Sequence, residues 1–417
     1  MRLPLFIILV IIAANGFAAE ITIDGQLRLR AEADDRAFDA DTTVRQYTDM
    51  RTRIGLNAEV GENAMAFVQF QDSRRFGVQS PDGSYQSGTL ANGRNVGIHQ
   101  AYFRVDQLWE RGLGLKAGRF EVNLGGQRVF GSVGWHNVGR SWDGLNFFAE
   151  RAGVRLDGYW LKRRELNDIF ENDDFDILGL NVGHDVFGVE AFLFWEHDAD
   201  ESVDDTTNTG INALDRFNTG LWLKGTRQRW DYEINGVYQL GQQRMIFNDT
   251  ATEVDIRAFL LSAEIGYTFV PENRARLAAA IDYTSGDSEP FDDTYKAYDN
   301  LYYTGHKFRG YMDYFLASED HGLIDLILRG QLDPVPGWNL AMDVHYFRAA
   351  QGYTDTAGIS AKDIGVEIDL TATTSRIAGI SWSNGMSLFV PSDSWAGPGS
   401  ETGLWFYTMA TINFGNE

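Results

Sequence analysis

From residue 20 to the C-terminus the apolar residues recur at every second position, and this period dominates what the chain can fold into. Between residues 21 and 30, Ile21, Ile23, Leu27 and Leu29 share one face, while Thr22, Asp24, Gln26, Arg28 and Arg30 share the other. Met50, Ile54, Leu56, Ala58 and Val60 oppose Arg51, Arg53, Asn57 and Glu59 in the same way. Near the end Leu404, Phe406, Thr408, Ala410, Ile412 and Phe414 alternate with Trp405, Tyr407, Met409, Thr411 and Asn413. Alternation of this kind describes strands with one apolar and one polar side. No segment keeps a 3.6-residue period convincingly.

Eighteen such segments can be counted, near 21–34, 49–61, 64–76, 96–108, 112–122, 142–151, 152–163, 174–184, 187–198, 215–228, 230–243, 254–270, 274–286, 323–332, 338–350, 362–374, 376–391 and 403–414. Many reach ten residues or more, beyond the roughly five or six usual in soluble sheets and close to the nine to eleven of a membrane-spanning strand. Short connections at 61–63 and 270–273 contrast with long polar ones at 77–95, 199–214 and 287–322. Short turns at one rim and long loops at the other characterise bacterial outer-membrane barrels. The expected fold is therefore all-β: a single-chain transmembrane antiparallel up-and-down β-barrel of 18 strands, filling residues 19–417. A soluble sandwich or propeller would desolvate the Arg, Asp, Gln and Tyr of the second face at several kcal/mol each. Trp109, Trp160, Trp195, Trp222, Trp230, Trp338 and Trp405 fall near strand ends and suit interfacial girdles.

Residues 1–18 read as a secretory signal peptide: Arg2, an apolar run from Leu3 to Ala14, and small residues at Gly16 and Ala18 before cleavage. The remainder, with a mean hydropathy of −0.28 for the whole chain, is too polar for a helical membrane bundle. The absence of cysteine excludes disulfides, thiolate metal sites and cysteine nucleophiles. The net charge is −23, and a pI near 4.6 disfavours nucleic acid as a partner. That charge is unevenly placed. Residues 20–165 hold 20 basic and 19 acidic side chains, whereas 166–417 hold 15 and 40. Acidic loops at 170–176, 198–205 and 287–293 could hold Ca²⁺ or Mg²⁺ bridging lipopolysaccharide; plain solvated loops account for them better, since none has EF-hand spacing. No other cofactor is indicated.

The basic first third has two readings. Arg28, Arg30, Arg51 and Arg53 fall on the polar parity of neighbouring strands, and Arg104 and Arg155 continue the row, with Gln69, Gln71 and Tyr102 as neutral companions. Such a ladder would make an anion-attracting pore wall. Alternatively, each Arg pairs with an adjacent acid (Glu32, Glu59, Asp72, Asp106 or Asp157) and braces the barrel.

The stretch from Gly118 to Gly144, GRFEVNLGGQRVFGSVGWHNVGRSWDG, resembles the signature of the alginate-export family of outer-membrane porins, GRxExxxGxQRxxG followed by WxNxGRxxDG. Arg51-Thr-Arg53, the stretch Gln69 to Arg74 and His99 to Tyr102 match as well, and the resemblance is specific over about 45–165. It implies an eighteen-stranded monomeric barrel in the bacterial outer membrane, with an Arg-lined constriction that passes a polyuronate. By match to the motif, Arg119, Arg128, Arg140 and Asp143 are the implied constriction residues, with Arg74 on the matching third strand. The acidic second half departs from that picture. So does the C-terminus, where Phe414 stands three residues before the end rather than at the position that barrel-assembly machinery reads.

Seven histidines show no metal-ligand spacing, and neither a GxSxG elbow nor an HExxH motif is present. An enzyme is not expected. The functional expectation is a channel for anionic or polar solutes, including an exopolysaccharide such as alginate. A surface barrel with a lumen plugged by the 287–322 loop is the alternative.

Overall fold

The computed structural model describes residues 20–77, 96–108, 112–165, 174–199, 213–247, 250–289, 292–355, 357–377 and 379–415. The expected signal peptide, Trp109, the 77–95 loop beyond Gly77 and most of the 198–205 acidic loop lie outside them. Eighteen strands form the wall: β1 (Glu20–Asp35), β2 (Arg45–Val60), β3 (Ala64–Arg75), β4 (Gly97–Leu108), β5 (Leu113–Phe120), β6 (Trp142–Arg151), β7 (Val154–Arg164), β8 (Phe175–His184), β9 (Val189–Asp198), β10 (Leu214–Arg227), β11 (Trp230–Phe247), β12 (Thr250–Val270), β13 (Ala275–Thr284), β14 (Leu323–Leu332), β15 (Trp338–Thr354), β16 (Ser360–Ile377), β17 (Ile380–Pro391) and β18 (Gly403–Gly415). Each pairs antiparallel with the next, and β1 pairs with β18 in a register that sets Leu27 opposite Ile412. Closure leaves no strand edge, as a bilayer demands. All eighteen expected segments are strands.

Turns such as Ala152-Gly153, both at positive φ, join strands at one rim by the mirror-image hairpin geometry that suits strand twist. The first residues of β1 and the last of β18 lie at this same rim, where Asp24 faces Gly415. The other rim carries long connections, including 36–44, 121–141, 285–322 and 392–402.

Strand parity separates two environments. Leu328 (63% exposed), Leu277 (57%) and Phe147 (55%) stand outward with dozens of other large apolar side chains, an arrangement that only a lipid solvent tolerates. Phe414 also faces out and lies over Gly25, where a Cβ would meet the ring at 2.3 Å. Trp160 and Trp230 face outward as expected. Trp222 and Trp405 do not: their positions in β10 and β18 point inward, where their indole N–H groups donate to Glu233 and Glu32.

The lumen is not an open tube. The 121–141 and 285–322 loops fold into it and pack against its walls in two apolar clusters. One gathers Phe120, Phe130, Phe194 and Tyr302 beside β5–β12. The other gathers Phe315, Phe347, Phe389 and Trp405 beside β14–β18. Three buried Phe in each cluster contribute on the order of 5–9 kcal/mol. Phe130 and Phe315 come from the loops themselves, so withdrawing either loop from the lumen would expose one of these rings and the wall rings it covers.

Candidate functional site: an arginine clamp on an in-folded loop

Arg28 and Arg30 occupy inward positions of β1, and Arg51 and Arg53 inward positions of β2. Arg28 and Arg51 are direct cross-strand partners. All four reach the same short piece of the 121–141 loop. Arg28 donates to the Gly134 carbonyl at 2.8 Å and to Asn137 Oδ1 at 2.6 Å. Arg51 donates to the Gly134 and His136 carbonyls, each at 3.0 Å, and to Gln26 at 2.6 Å. Arg30 pairs with Glu32 at 2.6 Å, donates to the Trp135 carbonyl at 2.8 Å and lies over the Trp135 ring. Arg53 donates to the Val138 carbonyl at 3.4 Å, and also to Gln71 at 2.6 Å and Glu121 at 3.4 Å.

Arg28 and Arg51 are each 4% exposed, and among the described residues neither has a carboxylate within ion-pair distance. Their Nε atoms are buried without a protein acceptor. Like charges directly opposite on neighbouring strands repel, so this pair stands on neutral carbonyls alone. With Arg140, which likewise binds only carbonyls, it is positive charge in the constriction without a carboxylate partner among the described residues. In the loop itself, burial pushes the Glu121 carboxyl up, but its bond to His99 and the nearby Arg53 and Arg51 charges outweigh that and hold it below its ordinary value. Burial lowers the Arg140 guanidinium.

The two in-folded loops also hold each other. Arg140 donates to the Tyr302 carbonyl, the Gly131 N–H donates to the same carbonyl at 2.8 Å, and Thr304 N–H reaches the Gln127 carbonyl at 3.0 Å. Trp135 stacks on His306 with ring centroids 4.2 Å apart. Arg128 pairs with Asp282 of β13 and lies over Phe308. On the β16 side the polarity of the grip reverses. Glu367 accepts the Met312 N–H at 2.8 Å and Asp369 the Tyr311 N–H at 3.3 Å. Gly310, at φ +76, is where the backbone comes closest; a Cβ there would sit 2.5 Å from the Glu367 carboxylate. Wall arginines thus hold loop carbonyls, and wall carboxylates hold loop amides. Below the loops a cavity of about 290 Å³ is lined by Arg128, Arg276, Lys307 and Arg329 together with Glu264 and Asp343.

Of the candidates from sequence, Arg28, Arg30, Arg51, Arg53, Arg128 and Arg140 converge on the constriction. Arg104 and Arg155 face the lumen nearer the short-turn rim, braced by Asp106 and Asp157 as the pairing alternative expected. Three candidates are not in the pore. Arg119 and Asp143 pair with each other at 2.7 Å on the outer wall, because Lys116 and Phe120 take the inward parity of β5. They begin an outward row of direct cross-strand partners, Arg119, Asp143, Lys162, Asp176, His197 and Asp215, at the loop-side ends of β5–β10. Arg74 shares the outward parity of Phe70 and contacts Asp72, while its neighbour Arg75 turns inward to Asp49. Motif matching gives no parity, which is why these positions misled.

Arg36, Trp135, His306, Gly310 and Glu367 carry no sequence signal of their roles. Arg36 binds Asp34 and the Met312 carbonyl and so braces the second loop. Ser141 approaches His99 at 3.3 and 3.4 Å from its two ring nitrogens, while Glu121 holds Nε2. A serine equidistant from both nitrogens lacks the directed bond a nucleophile needs.

The structure of OccK1 (OpdK) from Pseudomonas aeruginosa superposes with a TM-score of 0.61 at 12% identity, covering 96% of this chain and 100% of that one. OccAB3 from Acinetobacter baumannii gives 0.62 at 11% identity, over 95% and 100%. At such identity the likeness establishes the barrel fold. No curated protein matches the sequence. The family model described as "Alginate export" matches residues 19–400, far beyond the central motif. The chain is a channel barrel of the bacterial outer membrane, not an enzyme, and it belongs to the alginate-export family.

Proposed function

We propose that this barrel conducts anionic solutes, as a monomer, through the arginine-lined part of its lumen. The observation that carries the reading is the buried Arg28–Arg51 pair, which holds neutral loop carbonyls where a carboxylate would bind better. A carboxylate adds a full negative charge and can accept two parallel N–H bonds from one guanidinium, neither of which a backbone carbonyl offers. A solute carboxylate that displaces Gly134–Asn137 therefore trades weak partners for strong ones. Carboxylated solutes, from single acids to an exopolysaccharide such as alginate, meet the same donors. The acidic loops at the mouth are screened over about 8–10 Å at physiological salt, whereas the buried pair is not.

Reversal potentials in asymmetric KCl test this. Anion preference that persists at 1 M salt and falls in Arg28→Gln and Arg51→Gln is the expected result. Cation selectivity at high salt would assign control to the acidic half and leave the arginines as braces. The interlocking of the two in-folded loops favours a second reading, a plugged surface barrel. Absence of any conductance in planar bilayers would establish that reading instead.

A further inference from the structure

Below the in-folded loops, the β4–β7 wall encloses a second cavity of about 330 Å³, near the short-turn mouth. Its size falls at the lower end of the roughly 300–1,000 Å³ typical of small-molecule sites. Three cations line it: Arg104, Lys116 and Arg155. Two are already engaged. Arg104 gives two N–H groups to Asp106 at 2.9 and 2.7 Å. Arg155 binds Asp157 at 2.9 Å and Glu190 at 3.4 Å.

Lys116 differs from both. Its ammonium lies 4.1 Å from the Tyr102 ring centroid and 4.7 Å from that of Phe120. Among the described residues it has no carboxylate within ion-pair distance and no hydrogen-bond acceptor. Ring faces attract the cation but fill none of its three donors. The cavity therefore offers one unfilled cation, Lys116, beside two carboxylates held by arginines, Asp106 and Asp157, and a third, Glu150, on its lining with no ion pair among the described residues.

We propose that this cavity is a separate binding site for a sugar acid, a ligand with one carboxylate and several hydroxyls, entered from the short-turn side. The ligand carboxylate receives the Lys116 ammonium. Asp106 and Asp157, fixed by their arginines, accept from hydroxyls and repel a doubly charged ion such as phosphate. None of the lining residues belongs to the Arg28–Arg51 cluster, so the site would load a solute before it reaches the clamp. The inference rests on the anion-channel reading for its purpose, though not for its chemistry.

The test is equilibrium dialysis of radiolabelled glucuronate against the full chain in detergent, with glucose and inorganic phosphate as competitors. Measured in an Arg51→Gln background, which removes the clamp's own share of carboxylate binding, saturable glucuronate binding should weaken at least tenfold in Lys116→Met and recover in Lys116→Arg. Neither competitor should displace it. Unchanged binding in Lys116→Met, failure of Lys116→Arg to recover it in a barrel that still migrates as folded, or equal competition by glucose or phosphate would overturn the site. Lys116-dependent binding in a channel found to be cation-selective would keep the site and remove the anion-channel reading alone.

Discussion

Arg28 and Arg51, facing one another across β1 and β2, donate to the same carbonyl oxygen, that of Gly134, at 2.8 and 3.0 Å. Two buried guanidinium groups thus converge on one neutral acceptor at the tip of an in-folded loop. This shared acceptor ties the barrel wall to the 134–137 segment of the loop.

The outward placement of Arg119 and Asp143 separates motif from pore. Arg119→Glu should leave ion selectivity unchanged, since the side chain stands on the far side of the wall. Removing this half-exposed pair should alter stability by less than about 1 kcal/mol. Reversal potentials and the heat-modified gel mobility of the variant check both statements; a reversed selectivity would place Arg119 in the conduction path.

The two loops can be locked together without background chemistry, because the chain has no cysteine. A Cβ built on Gly131 lies 3.1 Å from that of Thr304, slightly inside the usual 3.5–4.5 Å of a disulfide. Gly131→Cys with Thr304→Cys should hold the channel at its lowest conductance when oxidised and release it on reduction. Equal conductance in both redox states would show that these loops do not separate during conduction.

Gly310 should resist substitution. Alanine there combines a positive φ with a clash against the Glu367 carboxylate, a cost of about 1–3 kcal/mol. The affected contact is the docking of Tyr311 and Met312 on β16, so Gly310→Ala should raise the open-channel fraction and lower the unfolding midpoint. A variant that matches the parent in both would show that this contact does not hold the loop.

Glu121 provides a pH test. Its carboxyl is held below its ordinary value, so the ionised form and its grip on Arg53 are present at neutral pH and are lost only as pH falls through that depressed value, below the ordinary glutamate range. Glu121→Gln should gate differently from the parent at pH 7 and at pH 5, and the two should converge only at pH values below the ordinary glutamate range. Convergence already at pH 6 would contradict the assignment.

Eighteen strands, their closure and the inward course of Arg28, Arg30, Arg51 and Arg53 were legible in the sequence, because a strand's period of two ties each residue's face to its neighbours' hydropathy. Alternation gives the lumen face of Arg104 and Arg155, whereas the motif, which carries no parity, holds Arg128 and Arg140 of the constriction together with the outward Arg119 and Asp143, and its third-strand match holds the outward Arg74. What only the tertiary structure decided is what fills the lumen. The 121–141 and 285–322 loops have no periodicity, and their fold depends on partners more than a hundred residues away, such as Tyr302 for Arg140 and Gly134 for Arg28. Local sequence determines which face of a strand is wet; which distant carbonyl meets a buried guanidinium follows from closure of the whole barrel around the loops.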